Sequence, residues 1–156
     1  MTRKNTVFLD SSIFFESIDD NRVLSTFSHA KNKGFDLLTS ITVIGETFNK
    51  IVSKKELSYL ENFYGFMKDL DVITLYPSRE LSIICYNLGN DFDDTRMVPE
   101  STDKTHLGYA IAYECEYFIT TDKNLKKYHI PKKLEDIRFY KPKTLDIDEF
   151  REIINS

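Results

Sequence analysis

A chain of 156 residues with 41% hydrophobic and 29% charged side chains has the length and balance of a soluble globular protein, and residues 1–156 are read as a single domain. A net charge of −4 argues against a protein that holds nucleic acid through a basic surface alone, but is compatible with an acidic site whose charge bound cations offset. No apolar run approaches the roughly 18 residues of a membrane span, the first nine residues lack a signal-peptide pattern, and two cysteines without a CxxC pair argue against a disulfide framework or a structural zinc site; a cytoplasmic location without membrane contact is expected.

Thr6-Val7-Phe8-Leu9 is a short β-prone run that ends at Asp10, with Ser11-Ser12 following as turn or cap residues. Residues 13–33 carry a helical pattern with a break near Asp19-Asp20-Asn21, and Gly34 is the stop signal. A second strand is expected over 35–39, then a helix capped by Ser40 or Thr42 that runs to about residue 53. A further helix follows over about 56–70, a third strand over 71–75, and a helix from Ser78 to about residue 87. Residues 88–101 contain Gly, Asn, Asp and Pro without an apolar period and read as a long loop.

Beyond that loop a helix is expected from Ser101 or Thr102 to about Cys115, a fourth strand over 117–120, and a short helix after Asp122. Residues 137–140 are the candidate fifth strand, and a last helix covers 146–154. Both cysteines, Cys85 and Cys115, are expected as small hydrophobes on helices, and 12 Phe and 9 Tyr with no Trp make aromatic rings a large part of the core. Strands that alternate with helices indicate an α/β domain, a mostly parallel sheet with helices on both faces.

Open parallel sheets collect ligands beyond the carboxyl ends of their strands. Asp10 stands at such an end, and Asp122 stands just past another, behind Thr120-Thr121. Either acid alone is equally well explained as a helix cap. Glu46 lies in an uncharged run among Ile41, Val43, Ile44 and Phe48, where a carboxylate is costly unless paired or bound to a cation; an ion pair with Lys50 one turn on is the simpler explanation. Asp103 occupies the first turn of a helix rich in small residues, a position the helix dipole favours without any functional role. Four acids placed at strand ends and on adjoining helices say more than any one of them. Clustered carboxylates repel unless cations bridge them, and oxygen-only ligands suit Mg²⁺ or Mn²⁺ rather than Zn²⁺.

Val7-Phe8-Leu9-Asp10-Ser11-Ser12 resembles the opening of PIN domains, in which an apolar strand ends in Asp followed by Ser or Thr. Ile44-Gly45-Glu46 resembles their second motif, and the segment DKTHLGYAIAYECEYFITTDKNL, beginning at Asp103 and containing Asp122, resembles the third and fourth together. Gly108 stands where that family often has Ala, and Asn124 where some members carry a further acid. The resemblance implies a three-layer α/β/α domain with a five-stranded sheet and metal-dependent cleavage of RNA. Many small members of the family are VapC-like toxins inhibited by an antitoxin protein and often dimeric, which makes RNA, an antitoxin and a second copy of the chain the candidate partners.

On this reading Asp10, Glu46 and Asp103 hold a primary Mg²⁺ or Mn²⁺, and Asp122 completes the site or helps with a second ion. The cation lowers the pKa of a coordinated water, and in-line attack leaves a 5′-phosphate and a 3′-hydroxyl. Ser11 and Thr121 are candidates to hydrogen-bond a carboxylate or a metal-bound water, with backbone capping as the alternative. His106 is expected to pack or to bond a neighbouring helix rather than to move protons. Lys50, Lys54 and Lys55, or the lysines after Asp122, are alternative guides for a phosphate backbone. Two competing readings are a PIN-fold module that binds RNA or protein without catalysis, and a phosphatase using the DxDxT pattern of Asp91-Phe92-Asp93-Asp94-Thr95, which lacks the preceding apolar strand such a nucleophile needs and reads better as an acidic loop.

Overall fold

The computed structural model describes residues 3–54, 57–89, 101–128, 130 and 141–156. Five strands form one sheet: β1 (Arg3–Leu9), β2 (Asp36–Ser40), β3 (Ile73–Leu75), β4 (Cys115–Ile119) and β5 (Lys143–Leu145). All are parallel, in the order β3-β2-β1-β4-β5. The eight helices described are α1 (Ser11–Asp19), α2 (Asn21–Asn32), α3 (Ile41–Ser53), α4 (Leu57–Asp69), α5 (Arg79–Gly89), α6 (Ser101–Ala112), α7 (Lys123–Lys127) and α8 (Ile147–Asn155).

This order places the site. The chain steps outward from β1 through β2 to β3, then returns to add β4 on the other side of β1. The strand order therefore reverses between β1 and β4, and a crevice opens there at the carboxyl ends. Right-handed crossovers direct α1 to α4 to one face of the sheet and α5 and α6 to the other. Val7, Phe8 and Leu9 are wholly buried because β1 is central and covered on both faces.

The rings divide between the two layers. Phe8 stacks on Phe118 of the paired strand (centroids 5.6 Å apart) and on Tyr109 of α6, while Phe14, Phe27, Phe63, Phe66 and Phe150 interlock beneath α1, α2, α4 and α8. Each fully buried ring contributes on the order of 2–3 kcal/mol by area.

Most expected elements occur within a residue or two of their predicted bounds. The helical pattern over 13–33 divides at Asp20, whose side chain accepts from the Arg22 amide and starts α2. Gly34 takes φ +88°, the left-handed turn that feeds β2 and that a Cβ would strain. Two expectations change. Cys115 opens β4 instead of closing α6, because Glu114 adopts φ +56° and ends the helical path. The fifth described strand is Lys143–Leu145, a three-residue piece too short to show a period; the candidate at 137–140, the acidic segment 91–95 and most of the long loop over 88–101 lie outside the described residues, while Leu88 and Gly89 still belong to α5.

Gly108 is explained by packing. A Cβ there would sit 2.6 Å from Cys85 Sγ and 3.3 Å from Leu81, so its absence lets α6 lie close against α5.

Candidate active site

Asp10 follows β1 directly and holds the N-cap position of α1, yet its side chain makes no cap bond. It turns into the crevice and is only 2% exposed. Oδ1 accepts from His106 Nδ1 at 2.9 Å, and Oδ2 accepts from Thr120 Oγ1 at 2.7 Å and Ser12 Oγ at 3.0 Å. Burial alone would raise the Asp10 pKa; the hydrogen bonds from His106, Thr120 and Ser12 outweigh it and hold the carboxyl below the usual range. The Thr121 amide donates to Ser12 Oγ and the Asp122 amide to Thr120 Oγ1, so the ends of β1 and β4 are tied through the hydroxyls on Asp10.

Those hydroxyls are one position away from the expected pair. Ser12 and Thr120 reach Asp10; Ser11 is a buried first residue of α1, and the Thr121 contribution is its backbone amide. The phase of the last strand residues decides which threonine faces the acid, and a run of two threonines does not reveal it.

Glu46 arrives by a short route. Ser40 ends β2 and caps α3, its Oγ accepting from the Val43 amide at 3.1 Å, which leaves Glu46 in the second turn above the strand ends. Lys50 Nζ lies 3.2 Å from Glu46 Oε1, the expected ion pair one turn on. The other oxygen, Oε2, lies 3.3 Å from His106 Nε2 without the alignment of a hydrogen bond, and neither atom has another hydrogen-bond partner among the described residues.

His106 is the residue that sequence reasoning undervalued. Its ring is completely buried between Asp10, just past β1, and Glu46 of α3, and addresses one with each nitrogen. It reaches the neighbouring helix as expected, but also the carboxylate at the centre of the crevice. The available signal was its spacing: His106 stands three residues after Asp103, on the same side of α6.

Asp103 and Asp122 complete the group. The half-buried Asp103 has its pKa pushed up to about 6, first by burial and then by the negative charges of Asp10, Asp122 and Glu46, with His106 opposing. Asp122 caps α7 through Oδ1, which accepts from the Asn124 and Leu125 amides at 2.8 and 3.4 Å, and this leaves Oδ2 outside the cap. Cap and site are therefore not alternatives for this acid.

The Asp103 shift predicts a pH dependence. Its folded pKa lies above the ordinary value of 3.8, so the folded, metal-free protein binds that proton more tightly than the unfolded chain, and stability falls as pH rises from about 4 to above 6. Half exposure reduces the effect from the full shift to about 1 kcal/mol. In chelator, the melting temperature of wild type relative to Asp103→Asn should drop across that window. A constant difference from about pH 4 to pH 7 would refute the shared negative field.

Among the described residues no three His, Cys, Asp or Glu side chains already enclose a cation-sized point. The donor chemistry nevertheless fits a hard divalent cation. The four acids offer oxygen only, and besides burial the charges of the other three raise the Asp103 pKa, repulsion that a dication offsets.

No protein-family model and no curated protein matches the chain. Solved structures do. VapBC2 from Rickettsia felis, bound to a DNA fragment from its promoter, matches with a TM-score of 0.67 at 14% identity, over 90% of this chain and 98% of that one. VapBC-1 from nontypeable Haemophilus influenzae matches with a TM-score of 0.62 at 12% identity, over 92% and 98%. Mycobacterium tuberculosis VapC20, described as a Sarcin-Ricin loop cleaving toxin, matches with a TM-score of 0.54 at 13% identity, over 88% and 98%. Identities this low establish a shared fold.

Proposed function

We propose that this chain, which has the PIN fold, is a metal-dependent ribonuclease acting as one domain, its site formed by Asp10, Glu46, Asp103 and Asp122. The observation that carries the reading is the convergence of four acids from separate elements: burial first, and then the charges of Asp10, Asp122 and Glu46, raise the Asp103 pKa to about 6. The fold supports the same class of chemistry, since the similar VapC20 is described as cleaving the sarcin–ricin loop.

When bound, Mg²⁺ or Mn²⁺ would lower the pKa of the attacking water and offset charge on the phosphoryl group. Asp10, Glu46 and Asp103 are the residues that would hold it, with Asp122 Oδ2 beside them. The protein's part is preorganisation. His106, Thr120 and Ser12 fix both Asp10 oxygens at the end of β1, so that acid need not reorganise when substrate arrives. Glu46, more exposed than Asp10 and held at one oxygen by Lys50, is the more adjustable member. Likeness to the VapBC structures supports an antitoxin protein as a partner; a second copy of the chain and a cytoplasmic location are proposed from the sequence resemblance alone. No helix among the described residues is long and apolar enough to cross a membrane.

One observation favours a second reading, a non-catalytic RNA- or protein-binding module. Asp10 is fully hydrogen-bonded and Glu46 already pairs with Lys50, so these acids are partly neutralised without a cation. Cleavage of a mixed pool of structured and unstructured RNAs separates the two. With Mn²⁺ or Mg²⁺ the ribonuclease should cut, EDTA should stop it, and restored metal should recover it. An RNA pool that stays intact at every metal concentration, alongside measurable RNA binding, would leave the module.

A further inference from the structure

α1, α3 and α4 enclose a cavity of about 470 Å³, within the range of small-ligand pockets, lined chiefly by Phe15, Ile18, Lys50, Ile51, Lys54 and Tyr59. Its walls are of two kinds. Ile18, Ile51 and the rings of Phe15 and Tyr59 are apolar, while the ammonium groups of Lys50 and Lys54 lie 5.0 and 5.8 Å from the centre of the Phe15 ring. Lys50 also contacts Glu46 Oε1, so one side chain belongs both to the cavity and to the candidate active site. Asp19 on the rim is the cavity's acid.

An apolar peptide side chain entering here would strip water from the Lys50 and Lys54 ammonium groups and bring them no new counter-charge, leaving Lys50 with Glu46 alone. A bare phosphate would satisfy the ammonium groups and leave the ring exposed. A nucleotide does both, with a flat face for the ring and a phosphate for the lysines, the combination by which proteins hold single strands. The groove beside Asp122 is larger, about 640 Å³, and also lysine-lined, but among the described residues no aromatic side chain lines it, so it offers a base no ring to stack on.

We propose that the Phe15 cavity holds one unpaired nucleotide of an RNA substrate next to the carboxylates, its base on Phe15 and its phosphate on Lys54 and Lys50. The inference rests on the ribonuclease reading and names the form of its substrate. A base can enter only when it is out of a helix, so the RNA must be single-stranded at this position.

The test is binding of a short labelled single-stranded RNA, and of its duplex, to the full chain in EDTA, with cleavage kinetics in Mn²⁺ alongside. Phe15→Leu keeps apolar volume and removes the ring; it should weaken single-strand binding about 5- to 100-fold and raise KM with kcat held. Lys54→Gln, at an exposed position outside the carboxylate group, should lower the slope of log affinity against log salt by about 0.7. Unchanged affinity in the first variant and unchanged slope in the second, in a wild type that cleaves RNA, would overturn the proposal. So would duplex binding as tight as single-strand binding. A wild type that neither binds nor cuts RNA would sink the ribonuclease reading itself, a different result from either variant being silent.

Discussion

Asp10→Asn is expected to remove metal-dependent RNA cleavage by at least two to three orders of magnitude while leaving the fold in place. The carboxylate is the most constrained of the four acids, with three donors on its two oxygens and almost no exposure. Asparagine keeps the shape and one acceptor, but its amide nitrogen would face either the Thr120 hydroxyl or His106 Nδ1, each of which now donates. The stability cost should be about 1–3 kcal/mol, the usual penalty for one mismatched buried hydrogen bond. Circular dichroism and thermal melting would establish that the variant is folded, and single-turnover cleavage in Mn²⁺ gives the rate. A folded variant that cuts within threefold of wild type would remove Asp10 from the site, whatever the remaining acids do.

His106 is the second residue with a large expected effect, as a positioning residue that acts through Asp10 and Glu46. Partners that hydrogen-bond metal-binding groups from behind typically account for 10- to 100-fold in affinity or activity. His106→Leu should therefore lower Mn²⁺ affinity, measured by calorimetry, by that factor, along with kcat. Its loss of stability should be about 1.5–3 kcal/mol, since the bond removed is one to a charged group. The conservative variants separate positioning from packing. His106→Asn can keep a donor near the Nδ1 position and should recover part of the affinity; His106→Gln reaches toward Glu46 and should recover less, because Asp10 makes the shorter contact, 2.9 against 3.3 Å. If His106→Leu melts earlier yet its folded fraction binds Mn²⁺ and cuts RNA as wild type does, the ring is only a core residue.

The strand–helix alternation was readable because its signals are local. Leu9 is the last apolar residue before Asp10, Gly34 needs its left-handed turn, and Ser40 and Ser78 cap the helices that follow them. The cap role of Asp122 was readable from sequence, though not that the cap uses Oδ1 and leaves Oδ2 outside it. Elements of three residues were harder. β5 is too short for periodicity, and its place at the sheet edge comes from pairing with β4.

By itself the sequence determined the α/β class, the order of the long elements and the four acids worth weighing, because these depend on residue type and near-neighbour spacing. Only the tertiary structure decided that β1 and β4 are neighbours, which brings Asp10 and Thr120 together across 110 positions of chain. It also decided that His106 stands between Asp10 and Glu46, and that Ser12 rather than Ser11 supports the acid. The tertiary structure also showed that Lys50 and Lys54 lie over the Phe15 ring, while Lys126 after Asp122 is paired with Asp146. Each of these turns on side-chain direction across long sequence separations, which strand pairing and helix packing set and local propensity does not encode.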